Sequence, residues 1–222
     1  RDQQVQLRSP SYRMDCDSLR YNAASSIAYF ISPTQLVSEE NTIYTEHGLY
    51  NTDADITILY GNVLLTGDDG QTLSADSLYY DKKLRFGRSW RNSVLTDTVN
   101  HFIVKGNYLE HHEKGGTSIA TDSNLVIYID DNKDTLFLHC DTLFIDFDTA
   151  SNPTLVRAYF HTKFLHKNIQ GACDSMTYIV KDSLLVMYYN LVFWSDNYQL
   201  SGDTVRFCII DSVQSTIELC RS

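Results

Sequence analysis

Histidines and carboxylates are the first side chains to test for chemistry, because both bind metal ions and transfer protons. The densest group is His111 and His112, which lie between Glu110 and Glu113 and are followed by a Gly-Gly pair. Neighbouring residues of a strand point to opposite faces, so a solvated loop explains this group better than a metal site with fixed ligand geometry. The other histidines show no HxH or HxxxH spacing: His47, His101, His139, His161 and His166.

Pairs of aspartates also occur, but in stretches predicted to be turns. None of them matches a calcium-binding loop with its glycine and terminal Glu. The chain has no nucleophile elbow, phosphate-binding loop or glycine-rich dinucleotide turn. The sequence therefore predicts no enzymatic site, no metal site and no cofactor. These turn carboxylates are Asp53, Asp55, Asp68, Asp69, Asp130 and Asp131.

A sequence motif that recurs along the chain, called the phrase below, indicates the elements that position these groups. It consists of a small residue, Asp, Ser or Thr, an apolar residue, any residue, and an aromatic or apolar residue. Its clearest copy is residues 75–80, and the spacing between copies is close to multiples of roughly 30 residues, which indicates one supersecondary unit per period. The other copies are residues 16–21, 140–145, 173–178 and 202–207.

Each copy predicts the start of a β-strand with one buried face. Side chains alternate across a strand, so the second and fourth residues after Asp share a face. All ten of these residues are apolar or aromatic, whereas the position between them is mixed, which is typical of a half-buried strand. The ten are Leu19, Tyr21, Leu78, Tyr80, Leu143, Ile145, Met176, Tyr178, Val205 and Phe207.

The aspartates of the phrase are predicted to have a structural role at a crowded corner. Asp followed by Ser or Thr can hydrogen-bond local backbone where the chain enters a strand. This explanation is preferred to a metal-binding or catalytic role, because polar groups at such corners need partners. The predicted corner residues are Asp17, Asp76, Asp141, Asp174 and Asp203.

The chain has five cysteines, and three of them occupy the small-residue position of the phrase, which Ala75 and Gly202 fill in other copies. Cysteine there is predicted to act as a small residue and not as a metal ligand. No CxxC occurs, and an odd count leaves at least one thiol unpaired, so the pairing stays open. The five are Cys16, Cys140, Cys173, Cys208 and Cys220.

The bulk composition excludes several classes of protein. A net charge of −10 argues against nucleic acid as a partner, because phosphate binding needs a basic surface, and against a basic membrane anchor. No apolar run approaches the roughly 20 residues of a membrane helix. The chain begins at Arg1 without a signal peptide, which is expected of a mature or trimmed chain.

Composition also predicts the fold class and the domain organisation. The 15 Tyr, 10 Phe and 3 Pro favour strands over disorder. No amphipathic helix longer than about two turns is evident, and no linker interrupts the strands. We expect a flexible or edge arm over residues 1–13 and one repetitive all-β domain over residues 14–222. An uncovered sheet edge at each end predicts end-to-end association, a homo-oligomer included.

At three places the repeated phrases resemble the OstA-like family, the periplasmic lipopolysaccharide-transport group that includes LptA, LptC and the N-terminal domain of LptD. The order Gly-Asn-Val-x-Leu-Thr followed by Ala-Asp-x-Leu-x-Tyr is typical of that family. The likeness covers most of residues 14–210, and residues 42–51 and 173–206 look particularly like OstA-like proteins of Bacteroidetes. The phrases are residues 61–66, 75–81 and 171–176.

This resemblance implies a fold, a ligand and a set of partners. The fold is an open-ended β-jellyroll of stacked antiparallel strands, shaped like a folded boat. Its apolar groove would hold the acyl chains of lipid A, with the ten inner-face residues as groove candidates. Its edges would join other jellyroll proteins of lipopolysaccharide transport by strand pairing, in the periplasm or in association with the outer membrane. The net charge of −10 is unusual for a protein that binds a phosphorylated lipid, so headgroup contacts are expected to be local or absent.

The sequence leaves three alternatives open. The same apolar side chains can pack as a sealed core that holds no ligand. A β-sandwich that binds carbohydrate or a cell-surface partner would instead present exposed aromatic rings, and Trp90, Trp194, Tyr188 and Tyr189 are candidates for such a platform. A stacked-strand enzyme, such as a polysaccharide lyase, would require carboxylates clustered in a cleft.

Overall fold

The computed structural model describes residues 5–8, 12–39, 41–67, 70–129, 133–150, 152–167, 169–195, 198–210 and 214–220. Four of the turn aspartates lie outside the described residues: Asp68, Asp69, Asp130 and Asp131. The side chains of Cys208 and Cys220 lie outside them as well. No helix in the described part of the chain is long and apolar enough to cross a membrane.

The chain divides into unit 1, Arg1–Lys114, and unit 2, Gly115–Ser222. A three-residue 3-10 helix, Glu113–Gly115, lies at the boundary. The strands of unit 1 are β1 Val5–Arg8, β2 Tyr12–Cys16, β3 Leu19–Asn22, β4 Ile27–Phe30, β5 Thr34–Ser38, β6 Asn41–Thr45, β7 His47–Asn51, β8 Ile56–Gly67, β9 Gln71–Asp81, β10 Phe86–Asp97 and β11 Phe102–His112. Those of unit 2 are β12 Thr117–Ile129, β13 Thr135–Phe147, β14 Pro153–His166, β15 Ile169–Ile179, β16 Leu184–Ser195, β17 Tyr198–Ile210 and β18 Gln214–Cys220.

Unit 1 begins as two separate ladders that merge at β8. One ladder runs β1, β2, β5 and β6, and the other runs β3, β4 and β7. The C-terminal half of β8 pairs with β6, and its N-terminal half pairs with β7. The long strands β9, β10 and β11 then follow in chain order. Before β8 each strand is interrupted where it changes ladder, and Pro33, which has no N–H to donate, marks one interruption.

Unit 2 has a simpler order, because each strand from β12 to β18 pairs with the next one along the chain. All strand pairs within both units are antiparallel. The predicted fold class, all-β with stacked antiparallel strands, is confirmed. The single domain predicted over residues 14–222 stays a prediction.

Asn and Asp side chains stabilise the hairpin turns by accepting hydrogen bonds from backbone N–H groups two or three residues further on. The Oδ1 atom of Asn51 accepts from Asp53 and Ala54 at 3.0 and 2.9 Å. Asp97 Oδ1 accepts from Val99 and Asn100 at 2.9 and 2.7 Å. This is the Asx-turn arrangement, and it explains the acidic residues at strand ends without any catalytic role.

Every long strand bends at its middle, at a β-bulge where two residues of one strand oppose a single residue of its neighbour. We call this bend the corner. The two residues both have positive φ, and the single residue is the Asp of the repeated phrase in four of the five odd-numbered strands from β9 to β17. Each copy of the phrase was predicted to begin a strand. The copy at residues 16–21 does so, at β3, whereas the other four lie within a strand that continues through the bulge. The positive-φ pairs are Gly61–Asn62, Arg91–Asn92, Asp122–Ser123, Phe160–His161 and Tyr189–Asn190.

The small residue before Asp faces the residue that follows each positive-φ pair. Cys140 lies opposite Asn124, and Cys173 lies opposite Thr162. All four side chains are buried. The bulge frees backbone carbonyl groups from the ladder, and these side chains satisfy them: Asn124 Nδ2 donates to the carbonyl oxygens of Ala120 and Asp141 at 2.8 and 3.0 Å. A larger residue in the small position would displace these partners.

Truncation of a core residue should reveal how tightly the strands pack. Leu143 is buried at the centre of β13, and we expect Leu143→Ala to lower the free energy of unfolding by about 2–5 kcal/mol, because it removes buried methyl groups and leaves a cavity. Urea denaturation followed by circular dichroism measures the loss. Leu165→Ala, at an exposed position of β14, is the matched control and should change the midpoint little. Equal losses in the two variants would contradict this assignment of the core.

The corner thiols should be unreactive while the chain is folded. Burial raises the pKa of Cys140 to about 11 and that of Cys173 to about 12. The thiolate is the nucleophile, so its fraction at pH 8 is small and increases only as the pH approaches these values. We expect iodoacetamide to modify both cysteines slowly at pH 8 and much faster in urea, as measured by peptide mass spectrometry. Equal rates with and without urea would show that the corner is open.

Candidate functional site

The ten predicted inner-face residues lie at different depths. Leu78, Leu143, Met176 and Val205 are buried. Tyr21, at the end of β3, is 54% exposed and is the outlier among them, because β3 is a short strand with three exposed residues. The remaining five are half-buried: Leu19, Tyr80, Ile145, Tyr178 and Phe207.

In unit 2 the strand register aligns most of these residues into two parallel rows. The deep row, next to the corner, holds buried residues on six successive strands: Ala120, Leu143, Ala158, Met176, Met187 and Val205. The second row lies two residues further from the corner, and its members are half-buried. We call it the mouth row of unit 2, and it consists of Ser118, Ile145, Val156, Tyr178, Leu185 and Phe207.

Unit 1 repeats this arrangement. A deep row includes Phe30 on β4, Leu59 on β8 and Leu78 on β9, all of them buried. Two residues further from the corner lies a row of half-buried residues that includes Tyr50, Thr57 and Tyr80. Burial therefore decreases from the corner outward in both units.

A third set of inner residues, which the repeated phrase did not predict, lies on the other side of each corner. In unit 1 this row is Met14, Leu36, Ile43, Leu65, Leu73, Leu95 and Val104. In unit 2 it is Val126, Leu138, Phe164, Gly171, Phe193 and Leu200. The signal that would have found them is the third residue before each Asp, which is Leu73, Leu138 or Leu200 in three of the copies.

Contacts within each unit show that the two sides of the corner face one another. In unit 1, Met14 from one side and Phe30 and Leu78 from the other belong to the same buried cluster. In unit 2, the ring of Phe193 lies 5.2 Å from that of Phe207, which is on the opposite side of the corner. Each unit therefore has an apolar interior between two half-sheets, and in unit 2 the half-buried mouth row lies further from the corner than the buried deep row.

The corner aspartates lie on the outside of the bend, and two of them are paired with a side chain of the neighbouring strand. Asp76 accepts hydrogen bonds from Asn92 Nδ2 at 3.2 and 3.3 Å. Asp141 is 2.7 Å from His161 Nδ1, which forms an ion pair when the imidazole is protonated. Both Asn92 and His161 belong to positive-φ pairs. These carboxylates therefore join adjacent strands across the bulge.

The other three aspartates occupy the same position with different surroundings. Asp174 accepts a hydrogen bond from the hydroxyl of Ser175 at 2.6 Å. Asp203 lies opposite the bulge between Tyr188 and Leu191. At Asp17, which separates β2 from β3, the hydroxyl oxygen of Ser32 accepts the backbone N–H at 3.2 Å.

The histidine group examined for metal binding belongs to β11 and not to a loop. His112 Nε2 lies 2.5 Å from Glu110 Oε1, and the Tyr108 hydroxyl donates to the same carboxylate. These hydrogen bonds lower the pKa of Glu110 even though its burial acts in the opposite direction. No group of three or more His, Cys, Asp or Glu side chains in the described part of the chain could hold a metal ion.

The proposed carbohydrate platform residues do not lie on one surface patch of a single strand pair. Trp90 belongs to unit 1, is half-buried, and has Arg88 stacked 5.4 Å from its ring. Trp194 lies near the end of β16, where its indole N–H donates to Gln199 at 3.2 Å. Tyr188 and Tyr189 lie at the corner of the same strand, with Tyr188 half-buried and Tyr189 exposed.

The chain was compared with protein-family models, with curated proteins and with solved structures. Residues 1–76 match the family model described as OstA-like protein. A search of solved structures finds LptH from Pseudomonas aeruginosa, described as the LptA homologous periplasmic component of a lipopolysaccharide transport device. The alignment has 11% identity and a TM-score of 0.44, and it covers 68% of this chain and 94% of LptH. No curated protein matches the chain. The resemblance to the OstA-like family that the repeated phrases predict is thus confirmed, with residues 1–76 as the matched segment.

Proposed function

We propose that the chain is a non-enzymatic carrier that binds the acyl chains of lipid A during lipopolysaccharide transport to the outer membrane. The observation that carries the proposal is the apolar interior of each unit, whose residues change from buried next to the corner to half-buried two residues further out. The resemblance to OstA-like proteins supports the choice of lipid and the proposed location in the periplasm.

The mouth row of unit 2 is the part of the interior best suited to an acyl chain. Its members are half-buried, so a ligand can reach them, and only Ser118 among them is polar. Six strands at a spacing of about 4.8 Å give a row roughly 24 Å long. Each methylene buried there contributes about 0.8 kcal/mol, so a chain of ten methylenes gains about 8 kcal/mol before the cost of ordering it. Apolar contact alone can therefore provide useful affinity.

Binding through acyl chains also accommodates the net charge of −10. An acidic protein gains little from the phosphates of lipid A, and carboxylates near a phosphate would repel it. If the interior contacts only methylene groups, the phosphates remain in solvent and the charge has little effect. We therefore propose that recognition is mainly apolar and only weakly dependent on salt.

A crosslinking experiment separates the interior from the outer surface. Tyr178 lies in the mouth row, and its neighbour Thr177 points to the opposite face of β15. With p-benzoylphenylalanine at position 178, irradiation in the presence of purified lipopolysaccharide should give a protein–lipid adduct on a denaturing gel. The same probe at position 177 should give at most one fifth as much adduct. Equal yields at both positions, or no adduct at position 178, would contradict binding in the interior.

Substitution of the same two residues tests the energetics. Tyr178→Asp places a carboxylate among the acyl chains and should weaken lipopolysaccharide binding at least tenfold, whereas Thr177→Asp should leave it nearly unchanged. Tyr178 is preferred to Leu78, since a charge at the buried Leu78 would disrupt folding. The thermal midpoint of each variant, measured alongside, separates a loss of binding from a loss of structure.

We also propose that the chain joins similar jellyroll proteins, or copies of itself, through strand edges. In the described part of unit 1, β3 pairs with β4 and has no strand on its other side. Such an edge offers backbone N–H and C=O groups to an incoming strand. The N-terminal half of β17, from Tyr198 to Asp203, lies at a comparable edge of unit 2, since β18 pairs only from Thr204 onward.

Removing a backbone donor from β3 tests this edge. Hydrogen-bonded pairs alternate along an antiparallel ladder, and the N–H of Ile31 donates to Ser18, so the N–H of Tyr21 points away from β4. Tyr21→Pro deletes this N–H and should reduce self-association in sedimentation velocity, because proline cannot donate to an incoming strand. Tyr21→Ala removes the side chain but keeps the N–H, and it should associate like the unmodified chain. Association of Tyr21→Pro that matches that of Tyr21→Ala would exclude β3 as the joining edge.

A further inference from the structure

The corners of unit 2 contain an unusual choice of residue. In β8 the positive-φ pair is Gly61–Asn62, and glycine and asparagine are the residue types that adopt this conformation most easily. In β14 the first residue of the pair is Phe160, with φ of 62°, and in β16 it is Tyr189, with φ of 58°. A bulky side chain in this region costs roughly 1–2 kcal/mol per residue relative to glycine.

Burial does not offset this cost. The side chain of Phe160 is 55% exposed, and that of Tyr189 is 63% exposed. Each ring contacts the preceding tyrosine at the edge of the corner, Phe160 with Tyr159 at 6.3 Å and Tyr189 with Tyr188 at 6.5 Å between ring centroids. Neither ring enters the interior of the unit. A strained backbone that holds an exposed aromatic ring is the kind of outlier that indicates a binding role.

The two rings lie on the same side of the sheet at a defined spacing. Strand β15 separates β14 from β16, and Ser175 of β15 pairs with Tyr159 on one side and with Tyr188 on the other. The backbone positions of Phe160 and Tyr189 are therefore two strand spacings apart, about 9.6 Å. This distance is comparable to the length of two linked pyranose rings.

Polar groups lie between and beside the rings. Asp174 of β15 is the single residue opposite the Phe160–His161 pair, and it lies beside the Tyr189–Asn190 bulge of β16. His161 is held at 2.7 Å from Asp141. We define the corner ridge as Phe160, His161, Asp174, Tyr189 and Asn190, a line in which aromatic rings alternate with hydrogen-bonding groups.

The chemistry of the corner ridge indicates which class of ligand it can bind. The strands β14, β15 and β16 have a paired neighbour on both sides, so no peptide can add to them as a strand. Asp141, Asp174 and Asp203 make the corner acidic, which disfavours nucleic acid and anionic lipid headgroups. Sugars match it, because their C–H faces pack on aromatic rings and their hydroxyl groups donate to carboxylates.

We propose that the corner ridge binds a linear neutral glycan, with one pyranose ring on Phe160, another on Tyr189, and hydroxyl groups of the glycan hydrogen-bonded to Asp174. The site is separate from the apolar interior and does not depend on lipid binding there. It also differs from a platform built on Trp90 or Trp194, because it uses Phe160 and lies at the bend of two strands.

The experiment compares binding with stability in the same variants. Cellohexaose, maltohexaose and chitohexaose are titrated into the full chain, with affinity measured by calorimetry. Phe160→Asn and Tyr189→Asn each remove a ring but supply a residue that tolerates positive φ. We expect each to weaken binding of the preferred hexasaccharide at least tenfold, while the thermal midpoint stays the same or increases. Tyr198→Ala, which removes a ring that is 80% exposed at the start of β17, is the control and should keep full affinity.

Three results would overturn the proposal. The first is that none of the three hexasaccharides binds at millimolar concentration. The second is that binding persists unchanged in both Asn variants. The third is that the thermal midpoint decreases in Phe160→Asn and Tyr189→Asn while their affinities are retained, since the rings would then have a structural role only. Failure of lipopolysaccharide crosslinking at position 178 would leave this site untouched, so the two proposals can fail independently.

Discussion

The fold depends on one backbone constraint, which is that every long strand bends where two positive-φ residues oppose a single residue. The bend turns the second half of each strand toward the first, and the contact between Phe193 and Phe207 shows the result in unit 2. It also frees carbonyl groups, which buried side chains such as Asn124 must satisfy. Small residues such as Cys140 are required opposite those side chains, so corner geometry, cysteine placement and interior shape have one cause.

The bulge also shifts the alternation of side chains, and this explains what the sequence could predict. In β9 the interior residues are Ala75 and Leu78, three apart, because Asp76 is matched by two residues across the bulge. Alternation after Asp is regular, so the residues two and four beyond it were identified from the sequence. Alternation before Asp has the other phase, so Leu73 and Leu138 were missed. Tyr21 departs from the pattern since β3 is too short to cover it.

The partners of the corner aspartates were harder to predict, because the even-numbered strands share no phrase. Their positive-φ pairs range from Gly61–Asn62 to Tyr189–Asn190, and only backbone geometry makes them equivalent. The sequence indicated that the aspartates hydrogen-bond locally, whereas Asp76 and Asp141 reach Asn92 and His161 on a neighbouring strand. Contacts between residues 16 and 20 positions apart depend on strand register, which local patterns do not specify.

The corners of this chain share one backbone geometry but differ in the residue types of their positive-φ pairs, so they can be compared with one another. Gly61 and Asn62 show what the bend accepts with little strain, and Asp122 and Ser123 are small polar residues that suit it as well. Phe160 and Tyr189 satisfy the same geometry at greater cost, although nothing in the bend itself requires a ring. The interior of the unit cannot be the reason, since both rings are exposed. The proposed glycan site accounts for both rings, because a ligand that packs against them on the outer surface would offset the strain.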